Sequence, residues 1–184
     1  MAETLSDEKL LEMFAQMQTR ETAFRLIVKK YSPAMYNQIR RIVHTHEETD
    51  DILQNALVKV WRALSNFRAE AKLFTWLYRI VTNETLSYLS EKKRKLTVSI
   101  DDENSPATNI IAHETIGPEG DEIYNKLIKA VDSLPEKQRL VFNMKYFDEM
   151  KYEDMSEILQ TSVGALKASY HFAVKKIEEK LNSD

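Results

Sequence analysis

Apolar side chains recur three and four residues apart along this chain, the period of an α-helix with one buried face. Leu10, Leu11, Phe14 and Met17 form the first set, behind Ser6 as a predicted N-cap and with Asp7 and Glu8 in the first turn. Phe24, Ile27, Val28 and Tyr31 continue the pattern, as do Ile39, Ile42 and Val43 after Ser32-Pro33. A further helix is expected from near Thr49, with Ile52, Leu53, Ala56, Leu57, Val60, Trp61 and Leu64 as one broad stripe facing a hydrophobic core. Its other face carries Asp51, Gln54, Asn55, Val58 and Arg62, which on their own read as a solvated surface. Thr75 is the expected cap of a helix that buries Leu77, Ile80, Val81 and Leu89 and ends in Lys92-Lys93-Arg94-Lys95.

The period resumes with Ile123, Leu127, Val131 and Leu134, and again behind Pro135 with Leu140, Val141, Met144 and Phe147. The remainder is Lys151 to Leu159, a turn at Gln160-Thr161, and a second segment from Ser162. That is helix-turn-helix spacing. Ser162 is placed to cap the second helix and leave its N-terminal N–H groups facing a phosphate, while Gly164 lets a backbone approach closely.

Composition narrows the class. Three Gly and four Pro in 184 residues are too few for the regular turns of an all-β fold, and the absence of Cys excludes disulfide frameworks and Cys-based zinc sites. The formal charge is −3, unevenly spread. Residues 1–95 carry 16 basic and 12 acidic side chains, residues 96–121 carry six acids and no base, and residues 122–184 carry 10 bases and 11 acids. With Pro106, Gly117, Pro118 and Gly120, the middle stretch is expected to be an extended acidic linker, with a short helical turn allowed at Ile110 to Glu114. The expected fold is therefore all-α: two small helical domains, 1–95 and 122–184, joined by the linker 96–121, the second domain containing the helix-turn-helix. No run approaches the roughly 18 apolar residues of a membrane span, so no membrane insertion and a cytoplasmic location are expected.

Two segments point to nucleic acid. Between Phe67 and Trp76, the aromatics Phe67, Phe74 and Trp76 alternate with Arg68 and Lys72, a pattern suited to one strand whose bases stack and whose phosphates meet cations. The alternative for Phe74 and Trp76 is ordinary burial. From Ser162 to Ile177 the only charged side chains are Lys167, Lys175 and Lys176, in a domain otherwise acidic. For catalysis the sequence offers little. There is no Gly-rich phosphate loop or nucleophile motif, and His44-Thr45-His46 has the wrong spacing for ligands at a helix end, so neither a metal nor a cofactor is expected.

Taken together, these strings resemble the extracytoplasmic-function (ECF) sigma factors of bacterial RNA polymerase. Asp50-Asp51-Ile52-Leu53-Gln54 with Lys59-Val60-Trp61 is similar to that family's polymerase-binding helix in region 2. Phe67-Arg68, Thr75 to Ile80 and Asn83 are similar to its strand-opening and −10-element segment. Leu134 to Arg139, Tyr146-Phe147, Tyr152 to Leu159 and Ser162-Val163-Gly164 are similar to its region 4, which reads the −35 element. The resemblance implies three sets of contacts. Core polymerase would meet Asp50, Asp51, Gln54, Asn55, Val58 and Arg62. The opened −10 DNA would meet Arg68, Ala69, Glu70, Lys72, Phe74, Trp76, Arg79, Asn83, Lys92, Lys93 and Arg94. The −35 duplex would meet Ser162, Val163, Gly164, Ala165, Lys167, Ser169, Tyr170, His171, Lys175 and Lys176. It also implies an anti-sigma factor as a further partner, and no chemistry of the chain's own.

Several positions depart from the family pattern. Asn55 replaces a usual acid, Leu57 a usual aromatic, and Ser87 and Ser90 stand where an acid and an Arg are common. Gln160 occupies the usual turn glycine, and Ser169 and Phe172 replace two arginines of the recognition helix. A competing reading is a helix-turn-helix regulator whose first domain is a sensor or dimerisation module. It accounts for Ser162 to Lys176 but not for the Phe67–Trp76 loop, nor for Asp51 and Gln54.

Overall fold

The structure, a computed structural model, describes residues 5–100 and 122–183, with side chains for 5–95 and 122–182. All the regular structure described is helical. The α-helices are α1 (Asp7–Ala15), α2 (Arg20–Val43), α3 (His46–Ala63), α4 (Leu73–Ile100), α5 (Glu122–Asp132), α6 (Glu136–Phe142), α7 (Tyr152–Leu159) and α8 (Val163–Ser183). A 3₁₀ turn at Leu64–Asn66 follows α3, and a π-helical turn at Asn143–Phe147 extends α6. The chain divides into two compact units: one holds the residues up to Ile39 and those from His46 through α4, the other Arg40–Thr45 and α5 to α8.

In the first unit, Ser6 caps α1 as expected, its hydroxyl accepting from the Lys9 amide at 3.3 Å. Helix α1 ends at Ala15, so Met17 falls outside it and is 89% exposed. Helix α2 runs unbroken through Pro33, which lacks the N–H that would otherwise reach the Lys29 carbonyl. Ala23, Ile27, Met35 and Ile39 of α2 are buried, as are Leu10 and Phe14 of α1, Ile52, Ala56 and Val60 of α3, and Leu77 and Val81 of α4. One buried polar link crosses this unit, from Gln38 Nε2 to Thr82 Oγ1 at 2.5 Å.

Five sequence expectations are corrected here. Helix α3 begins at His46 rather than near Thr49. Glu47 and Glu48 occupy its first turn, where carboxylates favour the helix N-terminus, and Thr49 is fully buried. Leu53, Leu57 and Trp61 do not join the core: the first two are half-buried and Trp61 is 37% exposed. Helix α4 starts at Leu73, with the Trp76 amide donating to the Lys72 carbonyl at 3.0 Å, so Thr75 is no cap but a buried residue of the first turn. Ile80 and Leu89 in α4 are only half-buried. The helix also continues beyond Lys95 to Ile100, because neither Gly nor Pro interrupts the sequence before Pro106. The rest of the expected linker, residues 101–121, lies outside the described residues.

In the second unit Ala130, Val131, Leu134, Phe142, Ala173 and Ile177 form one cluster, with Leu127, Phe147, Tyr170 and Val174 packed against it. Ile123 was expected on the buried stripe of α5 but sits in its first turn at 82% exposure. Helices α7 and α8 form the helix-turn-helix. Gln160 takes the left-handed conformation between them (φ 51°), and Ser162 caps α8, accepting from the Ala165 amide at 3.3 Å.

Candidate polymerase and nucleic-acid interfaces

Helix α3 turns Asp50, Asp51, Gln54, Asn55, Val58 and Arg62 to solvent, since the buried positions Ile52, Ala56 and Val60 fix its rotation. Beside these polar side chains lies an open groove of about 410 Å³ lined by Phe24, Asp50, Leu53, Gln54, Leu57, Val58 and Trp61. Its wall is almost wholly apolar. Trp61 is held edge-on against Phe14 and Phe24, with ring centroids 5.4 and 5.0 Å away, so the indole is a rigid wall and not a loose side chain. A rigid apolar trough with a polar rim has the anatomy of a protein-docking surface. The sequence pattern hid this trough because Leu53, Leu57 and Trp61 continue the core stripe at helical spacing. What separates them from it is the width of the stripe, too broad for one helix face to bury.

The second surface is the segment between the 3₁₀ turn and α4. Arg68, Ala69, Glu70 and Lys72 are exposed, and Ala69 takes a left-handed backbone (φ 55°) that turns the chain sharply. The aromatics Phe67, Phe74 and Trp76 are all half-buried, between the two roles considered for them. Trp76 is half-buried and its ring meets Phe67 at 5.2 Å; Phe74 is half-buried against Tyr31 and Tyr78 at 6.0 and 5.1 Å. Arg79 is half-buried and Asn83 exposed on the same helix. Lys92, Lys93 and Arg94 lie exposed three turns further on, well away from the loop, with Lys92 paired to Glu48. Tyr88 also donates to Glu48, at 2.7 Å. Burial and that carboxylate together hold its phenol above the ordinary range.

The third surface is α8. Leu166, Ala173 and Ile177 face inward, and Tyr170 is half-buried with its ring stacked on Phe142 at 5.8 Å, burial raising its phenol pKa. Tyr170 therefore belongs to the packed side of the helix. Ser169 and Val163 are half-buried, whereas Ser162, Gly164, Ala165, Lys167, His171, Lys175 and Lys176 are exposed. Lys167 Nζ lies 5.7 Å from the Tyr152 ring centre, Lys176 donates to Gln138 at 3.0 Å, and Lys175 faces Glu179 at 3.9 Å. A side-chain carbon added at Gly164 would meet nothing within 4 Å, so no contact inside the molecule requires glycine there. One exposed aromatic on this helix was not among the expected contacts: Phe172, 54% exposed.

Among the described residues no group of three His, Asp or Glu side chains is gathered as metal ligands, and no helix is long and apolar enough to cross a membrane.

Comparison with known proteins gives a consistent result. Residues 27–95 match Sigma-70 region 2, and residues 124–177 match Sigma-70, region 4. The RNA polymerase sigma-H factor of Pseudomonas aeruginosa is 30% identical over 182 residues, covering 95% of this chain and 93% of that protein. The ECF RNA polymerase sigma-E factor of Escherichia coli is 29% identical over 189 residues, covering 98% and 97%. The fold is shared with the sigma factor RpoE of Bartonella quintana, crystallised with the anti-sigma factor NepR, at a TM-score of 0.69 and 23% identity over 88% of this chain and 98% of that one. It is shared also with CnrH in complex with the cytosolic domain of CnrY, at a TM-score of 0.69 and 20% identity over 97% and 98%.

Proposed function

Because the chain belongs to the ECF sigma factors, subunits that direct RNA polymerase to promoters and start transcription there, we propose how its surfaces divide that work. The first domain, residues 1–95, docks core polymerase through α3, with Asp50, Asp51, Gln54, Asn55, Val58 and Arg62 as the contact set and the groove beside them taking apolar side chains of the polymerase. The loop Arg68 to Lys72 and the start of α4 hold the opened −10 strand. Extruding a base costs a few kcal/mol, so capture there selects sequence where stacking is lost. The second domain, residues 122–184, places α8 in the major groove of the −35 element. The acidic stretch 96–121 joins the two.

The observation that carries this reading is the rotation of α3. All six polar-face residues are exposed, and they rim the apolar groove of a helix whose opposite side is fully buried. The trough alone would suit a dimerisation module as well; the matches to Sigma-70 region 2 and region 4 favour the polymerase. The chain supplies binding and orientation, and the bond-making chemistry belongs to the polymerase. Its place of action is the cytoplasm, where the polymerase works. An anti-sigma factor covering these surfaces is part of the proposal, by analogy with NepR, the anti-sigma factor held by the Bartonella quintana RpoE.

The test is affinity for core polymerase. Asp51→Ala and Gln54→Ala should leave unfolding within about 0.5 kcal/mol of wild type, as at ordinary surface positions, while weakening binding. If either variant unfolds, or binds core polymerase as wild type does, the assigned face is wrong.

A further inference from the structure

Resting on the reading of α8 as the −35 helix, we propose that Phe172 reads thymine, its ring packing against C5-methyl groups in the major groove of the upstream element. Phe172 is 54% exposed on a helix whose inner side is well packed, and the tilted ring of His171, 5.8 Å away, flanks it. A single exposed aromatic is ordinary on a protein surface; what singles out Phe172 is its place on the outward side of the helix read as the −35 reader, where the family often has arginine.

The neighbours of Phe172 say what covers it. The outward side of α8 around it is built from Gly164, Ala165 and Ala168, all exposed, with Lys175 one turn beyond. Small side chains let the helix sink towards a flat partner, and residues 162–177 carry Lys167, Lys175 and Lys176 and no acid, which suits a negatively charged one, although Lys175 also faces Glu179 just beyond. A protein groove would instead ask for a continuous apolar stripe at helical spacing, and Phe172 has none beside it. In the major groove the apolar feature that marks one base is the thymine methyl, and Phe and Ala are side chains that contact it. Phe172 stands where arginine is common in the family and replaces a hydrogen-bonding, guanine-directed group by an apolar one. The upstream preference of this chain is thus shifted towards thymine at the base step that Phe172 meets, roughly 14 Å along the helix from Val163.

Single-round run-off transcription with core polymerase tests this on the upstream element that wild type selects from a promoter library. Each thymine of that element is replaced in turn by deoxyuridine, which removes only the methyl group. Wild type should lose about fourfold per contacted methyl at one or two positions. Phe172→Ala should be weakened by a similar factor on the thymine template and be indifferent to the replacement. Lys175→Ala should be weaker on every template with the thymine-to-deoxyuridine ratio of wild type. A selected element without thymine, wild-type indifference to deoxyuridine, or a Phe172→Ala variant that keeps the ratio each overturns the proposal; the last would leave Phe172 to a protein partner. Failure of the underlying reading looks different: scrambling the whole upstream element would leave wild-type transcription unchanged.

Discussion

Helices α3 and α8 are built alike, and the proposed function gives them different partners. Each buries a stripe of small and branched apolar residues and presents the remainder outward. On α3 the outward side adds Leu53, Leu57, Val58 and Trp61 to its charged residues, giving an apolar trough with a polar rim. On α8 it offers glycine, alanines and lysines around a single phenylalanine. Periodicity alone marks both as amphipathic helices. The proposed partners rest on what lies outside the buried stripe: apolar surface that a protein can desolvate on α3, and small residues with cations that a phosphate backbone can approach on α8.

This contrast can be broken at several points. The largest effect is expected from the inner side of α3. Ile52→Ala, at a position 1% exposed, should destabilise the first unit by about 2–5 kcal/mol and lose polymerase binding only as a consequence of unfolding, seen as coincident losses in urea melts and in binding. Val58→Asp, at a position 44% exposed, should do the opposite. It should leave the melt nearly unchanged yet cost about 2 kcal/mol or more in affinity for core polymerase, roughly thirtyfold in Kd, measured by fluorescence anisotropy. Equal behaviour of these two variants would erase the distinction between stripe and trough.

On α8 the expected effects are smaller and sort by position. Lys167→Ala should change the preferred upstream base at one position by ~1–3 kcal/mol in promoter-library transcription. Lys175→Ala should weaken upstream DNA on all sequences alike and lower the salt slope by about 0.9. An altered preference in Lys175→Ala with none in Lys167→Ala would mean that the helix enters the groove the other way round. Gly164→Ala separates folding from approach: with open space around that position, it should be neutral or stabilising in a urea melt, by at most about 0.5–1 kcal/mol, while weakening the −35 contact in run-off assays. The smallest change is at the turn. Gln160→Gly should stabilise the second unit by up to ~1 kcal/mol, because Gln160 holds a left-handed backbone that glycine adopts without strain, with DNA preference unchanged.

Much of this was legible beforehand, for reasons that differ by position. The helix-turn-helix was readable because a capping serine, a short turn and two apolar periods agree, and Ser162 caps α8 accordingly. Helix boundaries were less so. Thr49 and Thr75 look like caps, but a threonine within a first turn can equally be buried, and its local sequence does not say which. Nor did the basic run at Lys92 to Lys95 stop α4, since favouring a helix C-terminus is not the same as ending a helix. The trough on α3 was missed because Trp61 and Leu57 keep perfect core spacing. Only the packing of α1 and α2, which bring Phe14 and Phe24 beneath the indole, shows that its outer edge stays open. Phe172 departs from the family pattern in sequence, but its exposure follows only from the rotation of α8 that buries Leu166, Ala173 and Ile177.

The most direct test of the division of labour is site-specific photocrosslinking in the assembled holoenzyme on promoter DNA, with p-benzoylphenylalanine placed at Val58 of α3 or at Ala168 of α8. The account predicts that the probe at Val58 crosslinks to core polymerase protein and the probe at Ala168 to upstream DNA. A probe at Val58 that reaches DNA, or one at Ala168 that reaches only protein, would contradict it.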